Sequence, residues 1–178
     1  MTEGFTKRWA GKGDLAVLGE IMDRSIEHLQ RDFLTPDQIV ASRAVMGLDT
    51  QLVHDGTYLI VEDRGVAVGC GGWSRRATLY GGDHSTALRD GALLDPARDP
   101  ARIRAMYTHP DHARRGIGRL ILATCEAAAA AQGFRAFELM STMSGVPLYT
   151  ACGYVAVEPR VDDVDGVAVP LLRMRKDV

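Results

Sequence analysis

Apolar side chains recur at helical spacing through Leu15, Leu18, Ile21 (or Met22), Ile26 and Leu29, with Asp23, Arg24 and Glu27 among the polar positions. That pattern predicts an amphipathic helix capped by Asp14 and running to about Gln30, after a short strand over Phe5 to Trp9. A second helix opens with Thr35 as N-cap, Pro36 at the first helical position and Gln38 completing a capping box. Its end is expected near Gly47. Thr57 to Glu62 is β-rich, Asp63-Arg64-Gly65 reads as a turn, and Val66 to Trp73 returns as the hairpin partner. Gly69, Gly71 and Gly72 lie inside that second strand, which implies a bulge or a close neighbour.

Residues 74 to 100 carry no clear periodicity, and a loop of that length is usually functional or flexible. Beyond it the pattern sharpens. Arg102 to Thr108 reads as a strand, His109 to His112 as a turn, and Gly116 to Gln132 as a helix closed by Gly133. Ala136 to Ser141 reads as a buried strand and Val146 to Cys152 as a short helix ended by Gly153. Tyr154 to Glu158 and Val167 to Met174 follow as strands around the acidic turn Asp162 to Gly166. This order predicts a mixed α/β (α+β) fold, a central sheet with helices on both faces.

Length and composition narrow the function. At 178 residues the chain suits one domain over 1–178, and 46% hydrophobic residues are enough for a core. Lys plus Arg is 21 against Asp plus Glu 23, so no broad basic field exists for nucleic acid. Aromatic residues at 6% also disfavour a base-stacking platform. Lys7, Arg8 and Lys12 precede no apolar stretch of signal-peptide length, and no window approaches a membrane span. Cys70, Cys125 and Cys152 are an odd count at wide spacing, neither a disulfide framework nor a zinc site. A cytoplasmic location without a membrane partner is expected.

The segment Thr108 to Arg119 joins a strand to a helix and places Gly116 and Gly118 at the first helical turn. Free amides and the positive end of the helix dipole converge there, which suits a phosphate or pyrophosphate. Arg114, Arg115 and Arg119 crowd the same turn, where cations are disfavoured unless an anion neutralises them. The alternative is three solvated arginines on a loop. No Lys-Ser or Lys-Thr follows the glycines, and the third glycine of a dinucleotide fingerprint is missing.

This segment resembles the acyl-CoA-binding motif of the Gcn5-related N-acetyltransferases (GNAT), Gln/Arg-x-x-Gly-x-Gly/Ala after a strand ending in Val/Thr-His-Pro. Here the frame is Ala113-Arg114-Arg115-Gly116-Ile117-Gly118, with Ala in the first position. The stretch Ser144-Gly145-Val146-Pro147-Leu148-Tyr149 through Gly153-Tyr154 resembles a second family landmark, with Ser144 where Asn is common. The resemblance spans nearly the whole chain. It implies a mostly antiparallel sheet whose central strands, Arg102 to Thr108 and Ala136 to Ser141, splay to admit the pantetheine of acetyl-CoA. Backbone near Met106, Tyr107 and Thr108 would bond that arm, with Ser144 at its border. Amides of Arg114, Arg115, Gly116, Ile117, Gly118 and Arg119 would take the pyrophosphate. An amine would attack the thioester directly, in a ternary complex. A homodimer is common in the family.

By the same resemblance Tyr149 is the candidate general acid for the departing thiolate; the other reading is a ring packed in the core. The strand position that carries a Glu base in some relatives is Arg102 here. A water relay, or His84 and Asp83 in the long loop, remain as candidate bases beside their reading as solvated residues. The acceptor pocket maps to His28 through Thr35, which includes Phe33, and to residues 73 to 90, which include Trp73, Arg75 and Tyr80. A variable surface loop is the competing reading of the latter segment. Cys152 lacks a recognisable nucleophile's partners and reads as packing. His109 and His112 flank Asp111 without a metal-binding helix, so no metal is expected. The implied activity is acetyl transfer to a small-molecule amine; a protein or peptide amine, or a non-catalytic CoA-binding module, are the alternatives.

Overall fold

The computed structural model describes residues 4–178. The strands are β1 (Phe5–Trp9), β2 (Tyr58–Asp63), β3 (Val66–Ser74), β4 (Ala101–Thr108), β5 (Ala136–Thr142), β6 (Val155–Val164) and β7 (Val167–Asp177). They form one sheet in the order β1-β2-β3-β4-β5-β7-β6, antiparallel throughout except for the parallel pair β4–β5. The helices are α1 (Leu15–Leu29), α2 (Pro36–Ser42), α3 (Thr50–His54), α4 (Ile117–Ala131) and α5 (Val146–Ala151).

Alternation along each strand sends its apolar side chains to both faces. On β2, Val61 joins the cluster with Ile117, Ile121 and Cys125 of α4, whereas Ile60 meets Leu18, Ile21 and Ile26 of α1. The three glycines of β3 are explained by close approach. A Cβ at Gly69 would enter the Ile117 side chain, and one at Gly71 would lie 2.6 Å from Ile121 Cγ2 and 2.8 Å from Met106 Cγ. Helix α4 therefore rests directly on the strand backbone.

Several boundaries differ from the sequence reading. Asp14 stands at the N-cap position of α1 but its carboxylate makes no capping bond to the helix: it lies at the end of a 3-10 turn, accepts the Gly11 amide (2.8 Å) and pairs with Arg8 (2.8 Å). Helix α2 stops at Ser42 instead of near Gly47, although its Thr35–Gln38 capping box forms as expected. Helix α3 has no apolar period long enough to announce it; the Asp49 carboxylate caps it by accepting the Gln51 amide at 3.1 Å. The final hairpin is longer than the alternation indicated, because Asp162 and Asp163 belong to β6. Its turn is confined to Asp165 and Gly166, both at positive φ (50° and 86°), the geometry that suits a two-residue hairpin.

Residues 74 to 100 are tied down at their base. Amides of Ala77, Thr78 and Leu94 bond across to Ala92, Asp90 and Arg75, and a 3-10 turn occupies Thr86–Leu88. Among the described residues no helix is long and apolar enough to cross a membrane.

Cys70 and Cys125 are buried, and burial pushes the Cys70 thiol up to about 12 and the Cys125 thiol higher still. Cys152 is half-buried. A thiol reagent at neutral pH is expected to label Cys152 first, with the other two reacting only after unfolding. Mass spectrometry of the folded protein checks this; prompt double or triple labelling would mean that α4 lifts readily from the sheet.

Candidate active site

The site begins with a defect in β4. Cys70 pairs with Tyr107 and Gly72 with Arg104, so Ala105 and Met106 together oppose Gly71. This is a β-bulge, and Ala105 sits in it at φ 50°. The carbonyl of Ala105 accepts a hydrogen bond from the buried Tyr58 hydroxyl at 3.1 Å. The bulge bends β4 away from its parallel partner, and pairing with β5 is confined to Ala101–Phe137 and Arg102–Glu138.

Just where pairing ends, the buried Glu138 carboxylate receives Arg102 (2.8 Å) and Arg173 (2.8 Å), fastening β4, β5 and β7 together. Beyond that clamp the strands diverge into a cleft, lined by β4 from Ile103 to Tyr107 and by Leu139, Met140 and Thr142 of β5. The segments Val45 to Gly47 and Leu79 to Gly81 close one side, and Tyr149 borders it.

Helix α5 carries Tyr149, whose ring meets Tyr154 edge-on at 5.8 Å between centroids. Gly145 permits this placement: a Cβ there would lie 2.9 Å from the Tyr149 ring. The hydroxyl has no hydrogen-bond partner among the described residues, and burial raises its pKa above the ordinary phenol value. It is a protonated donor at neutral pH with its hydrogen-bonding capacity unspent.

The loop after β4 is held by local bonds. The His109 amide bonds the Val68 carbonyl, and the His109 ring accepts the Asp111 amide. Gly116 caps α4 in a left-handed conformation at φ 84°, which only glycine adopts without strain. The first intrahelical bond beyond it comes from Leu120, so the amides of Ile117, Gly118 and Arg119 project free from the helix end.

The three loop arginines divide. Arg115 is already engaged, with Asp63 (3.0 Å), His112 (2.7 Å) and the Phe5 ring (4.9 Å to its centroid). Its side chain is directed to β1 and β2, and its charge already has an anion. Arg114 and Arg119 are exposed and have no side-chain partner among the described residues. Gly118 has a second role that spacing does not reveal: a Cβ there would meet Leu148 of α5 at 2.8 Å, so Gly118 lets α5 approach α4. Ser144 contacts Thr142 across 3.0 Å between hydroxyls, at the border of the cleft.

The acceptor-side expectations are redistributed. Tyr80 lines the cleft and donates to Asp162 at 2.7 Å. Trp73 does not face it: the ring is buried under α4 against Phe134, with exposed Arg75 over it. Phe33 is exposed and is not part of the cleft wall. Asp83 accepts the Thr50 amide at 3.0 Å, and His84 donates through Nε2 to the Arg43 carbonyl at 2.6 Å. Both hold the loop against residues 43 to 50, and neither lines the cleft, because the loop folds back over that segment.

Asp49 was not singled out by the sequence, and Arg104 stood only among four arginines, with Arg75, Arg76 and Arg102, read either as favouring a carboxylate-bearing substrate or as surface residues. Arg104 is buried in the cleft wall, donates to the carbonyls of Thr78 and Gly81, and pairs with Asp49 at 2.8 Å. Asp49 in turn takes Arg89 at 3.1 Å. One guanidinium thus holds both segments that close the cleft. The available signal was an Arg at an otherwise apolar stretch of the strand that follows the long loop.

Residues 23–154 match the model of the acetyltransferase (GNAT) family, well over half of the chain. The chain belongs to that family. As a GNAT protein it is an acetyl-CoA-dependent acetyltransferase. No curated protein matches it in sequence. Among solved structures, a GCN5-related N-acetyltransferase from Rhodopseudomonas palustris is 23% identical over 100% of this chain and 98% of its own, with a TM-score of 0.73. YncA, a putative acetyltransferase from Salmonella typhimurium solved with acetyl-CoA, is 18% identical over 98% and 94%, at 0.65. A chimera of the spermidine N-acetyltransferase SpeG from Vibrio cholerae with hSSAT is 16% identical over 98% and 96%, at 0.60. At these identities the likeness is one of fold.

Proposed function

We propose that this GNAT acetyltransferase moves the acetyl group of acetyl-CoA to a primary amine of a small-molecule acceptor, by direct attack in a ternary complex. The observation that carries the reading is the unpartnered Tyr149 hydroxyl at a cleft opened by the β4 bulge. The unpaired edge of β4 offers backbone groups near Met106 and Thr108 to the amides of pantetheine. Free amides from Arg114 to Arg119, with the Arg114 and Arg119 guanidiniums, suit the pyrophosphate. The amine nitrogen attacks the thioester carbon, the C–S bond breaks, and Tyr149 supplies a proton to the departing thiolate. Holding both reactants in one cleft lowers the barrier through proximity.

Acetyl-CoA in excess is expected to raise the unfolding temperature, by the equivalent of about 2.7 kcal/mol at 100 times its dissociation constant. Reversing both free charges, Arg114→Glu with Arg119→Glu, avoids the α4–α5 contact that any Gly118 variant disturbs. It is expected to weaken acetyl-CoA roughly 10–100-fold. Unchanged binding by the double variant would remove the pyrophosphate from this loop. Acetyl-CoA bound without acetylation of any amine would favour a non-catalytic CoA-binding module.

A further inference from the structure

The chemistry of the cleft wall selects among amines. Three methionines (Met46, Met106, Met140) and three tyrosines (Tyr80, Tyr107, Tyr149) line it, among aliphatic side chains. Thioethers adapt to a flat ring and contact its edge favourably, and tyrosine rings do the same by offset or edge-on packing. The charged group in the lining is the Arg104 guanidinium. Behind it Asp49 is shared between Arg104 and Arg89, which leaves the three groups with an excess of one positive charge. Asp162 is likewise shared, between the Tyr80 hydroxyl and Arg160. An ammonium entering this cleft would shed water, meet a like charge, and find Asp49, Asp162 and the Glu138 at the base of the cleft already paired. Its deprotonation would also need a base, and Asp83 and His84 are bonded elsewhere.

Resting on the acetyl transfer proposed above, we infer that the acceptor is a weakly basic amine on an aromatic body, an arylamine, already uncharged at neutral pH. Its nitrogen lone pair attacks the acetyl carbon and the C–S bond breaks. The anilide forms, and one N–H proton balances the proton that Tyr149 gives to the thiolate. The products are an N-acetyl arylamine and CoA thiol. No proton must be removed before attack, which fits a cleft walled by thioethers and rings.

The test compares aniline, benzylamine and spermidine as acceptors with the full chain and acetyl-CoA, each product quantified by mass spectrometry. At pH 7 kcat/KM for aniline should exceed that for benzylamine roughly tenfold or more, and stay nearly level as pH rises by a unit. Benzylamine, mostly protonated at neutral pH like other alkylamines, should gain about tenfold over the same unit. A carboxylate placed in the wall, Met140→Glu, should move the preference toward benzylamine by about tenfold. If benzylamine or spermidine is the better acceptor of the wild-type protein at pH 7, the arylamine assignment fails while acetyl transfer stands. If acetyl-CoA shifts the unfolding temperature and none of the three is acetylated, the arylamine assignment fails, and acetyl transfer falls with it only when a broad amine screen is also negative. The wild-type comparison decides the matter even where Met140→Glu does not fold.

Discussion

Tyr149→Phe is expected to lower kcat for acetyl transfer about 10²–10⁴-fold, the range for loss of a positioned general acid. That corresponds to roughly 3–5 kcal/mol of barrier. The KM for acetyl-CoA should hardly move, because the amides after β4 lie on another element. Stability should hardly move either: the hydroxyl has no partner among the described residues, and Phe keeps the ring against Tyr154. Burial raises the phenol's pKa, so the wild-type donor stays protonated below its ordinary pKa of ~10 and is not exhausted at working pH. Steady-state kinetics at saturating acetyl-CoA, beside thermal unfolding of both proteins, separates the cases. A loss of only two- to fivefold with unchanged melting would make Tyr149 a packing residue and return proton delivery to water.

Asp49→Ala is expected to have the largest effect on stability. The carboxylate is 1% exposed and its partner Arg104 3%, so the substitution leaves a guanidinium buried without its counter-charge. Breaking such a pair from one side costs about 3–5 kcal/mol. Loss of the α3 cap adds about 0.5–2 kcal/mol. For a chain of this length each kcal/mol lowers the melting temperature by about 2–4 °C, so a drop of roughly 7–28 °C is expected. Arg104→Met in the same chain should restore part of it, since both charges are then gone and the cycle is not additive. Because Arg104 also holds Thr78 and Gly81, acceptor KM should rise in the single variants while acetyl-CoA affinity is retained. A melting shift within a degree or two for Asp49→Ala would mean that the two carbonyls suffice for the guanidinium.

Both experiments turn on residues of unequal legibility. Tyr149 was visible in sequence because it stands in a stretch, Ser144 to Tyr154, that resembles a family landmark. Gly116 was visible for a local reason, a glycine at the first turn of a helix that follows a strand, where amides stand open to an anion; its left-handed conformation at φ 84° came only with the structure. Asp49 and Met140 were invisible, and Arg104 was read as a substrate or surface arginine instead of a buried partner of Asp49, because nothing within a few residues of any of them fixes what it meets. Asp49 and Arg104 are brought to 2.8 Å across 55 positions only by the tertiary fold, in which α3 packs against β3, the neighbour of β4. The same long-range contacts overturned expectations. Trp73 looked like a substrate-side aromatic next to a loop, but strand alternation turns it under α4. Arg115 looked like one of three equal cations, but β1 and β2 bring Phe5 and Asp63 to it.

The sequence alone determined the elements with a strong period or a local cap: α1, the start of α2, α4, the β2–β3 hairpin and the glycine turn before α4. It determined the family as well, through two motifs whose chemistry is carried by residues close together in the chain. Only the tertiary structure decided how β4 parts from β5, which arginines keep their charge free, and what lines the acceptor side. Those features depend on pairing register and on burial. A one-residue bulge redirects a strand, and a charge is spent or free according to what packs beside it, neither of which is encoded in neighbouring positions.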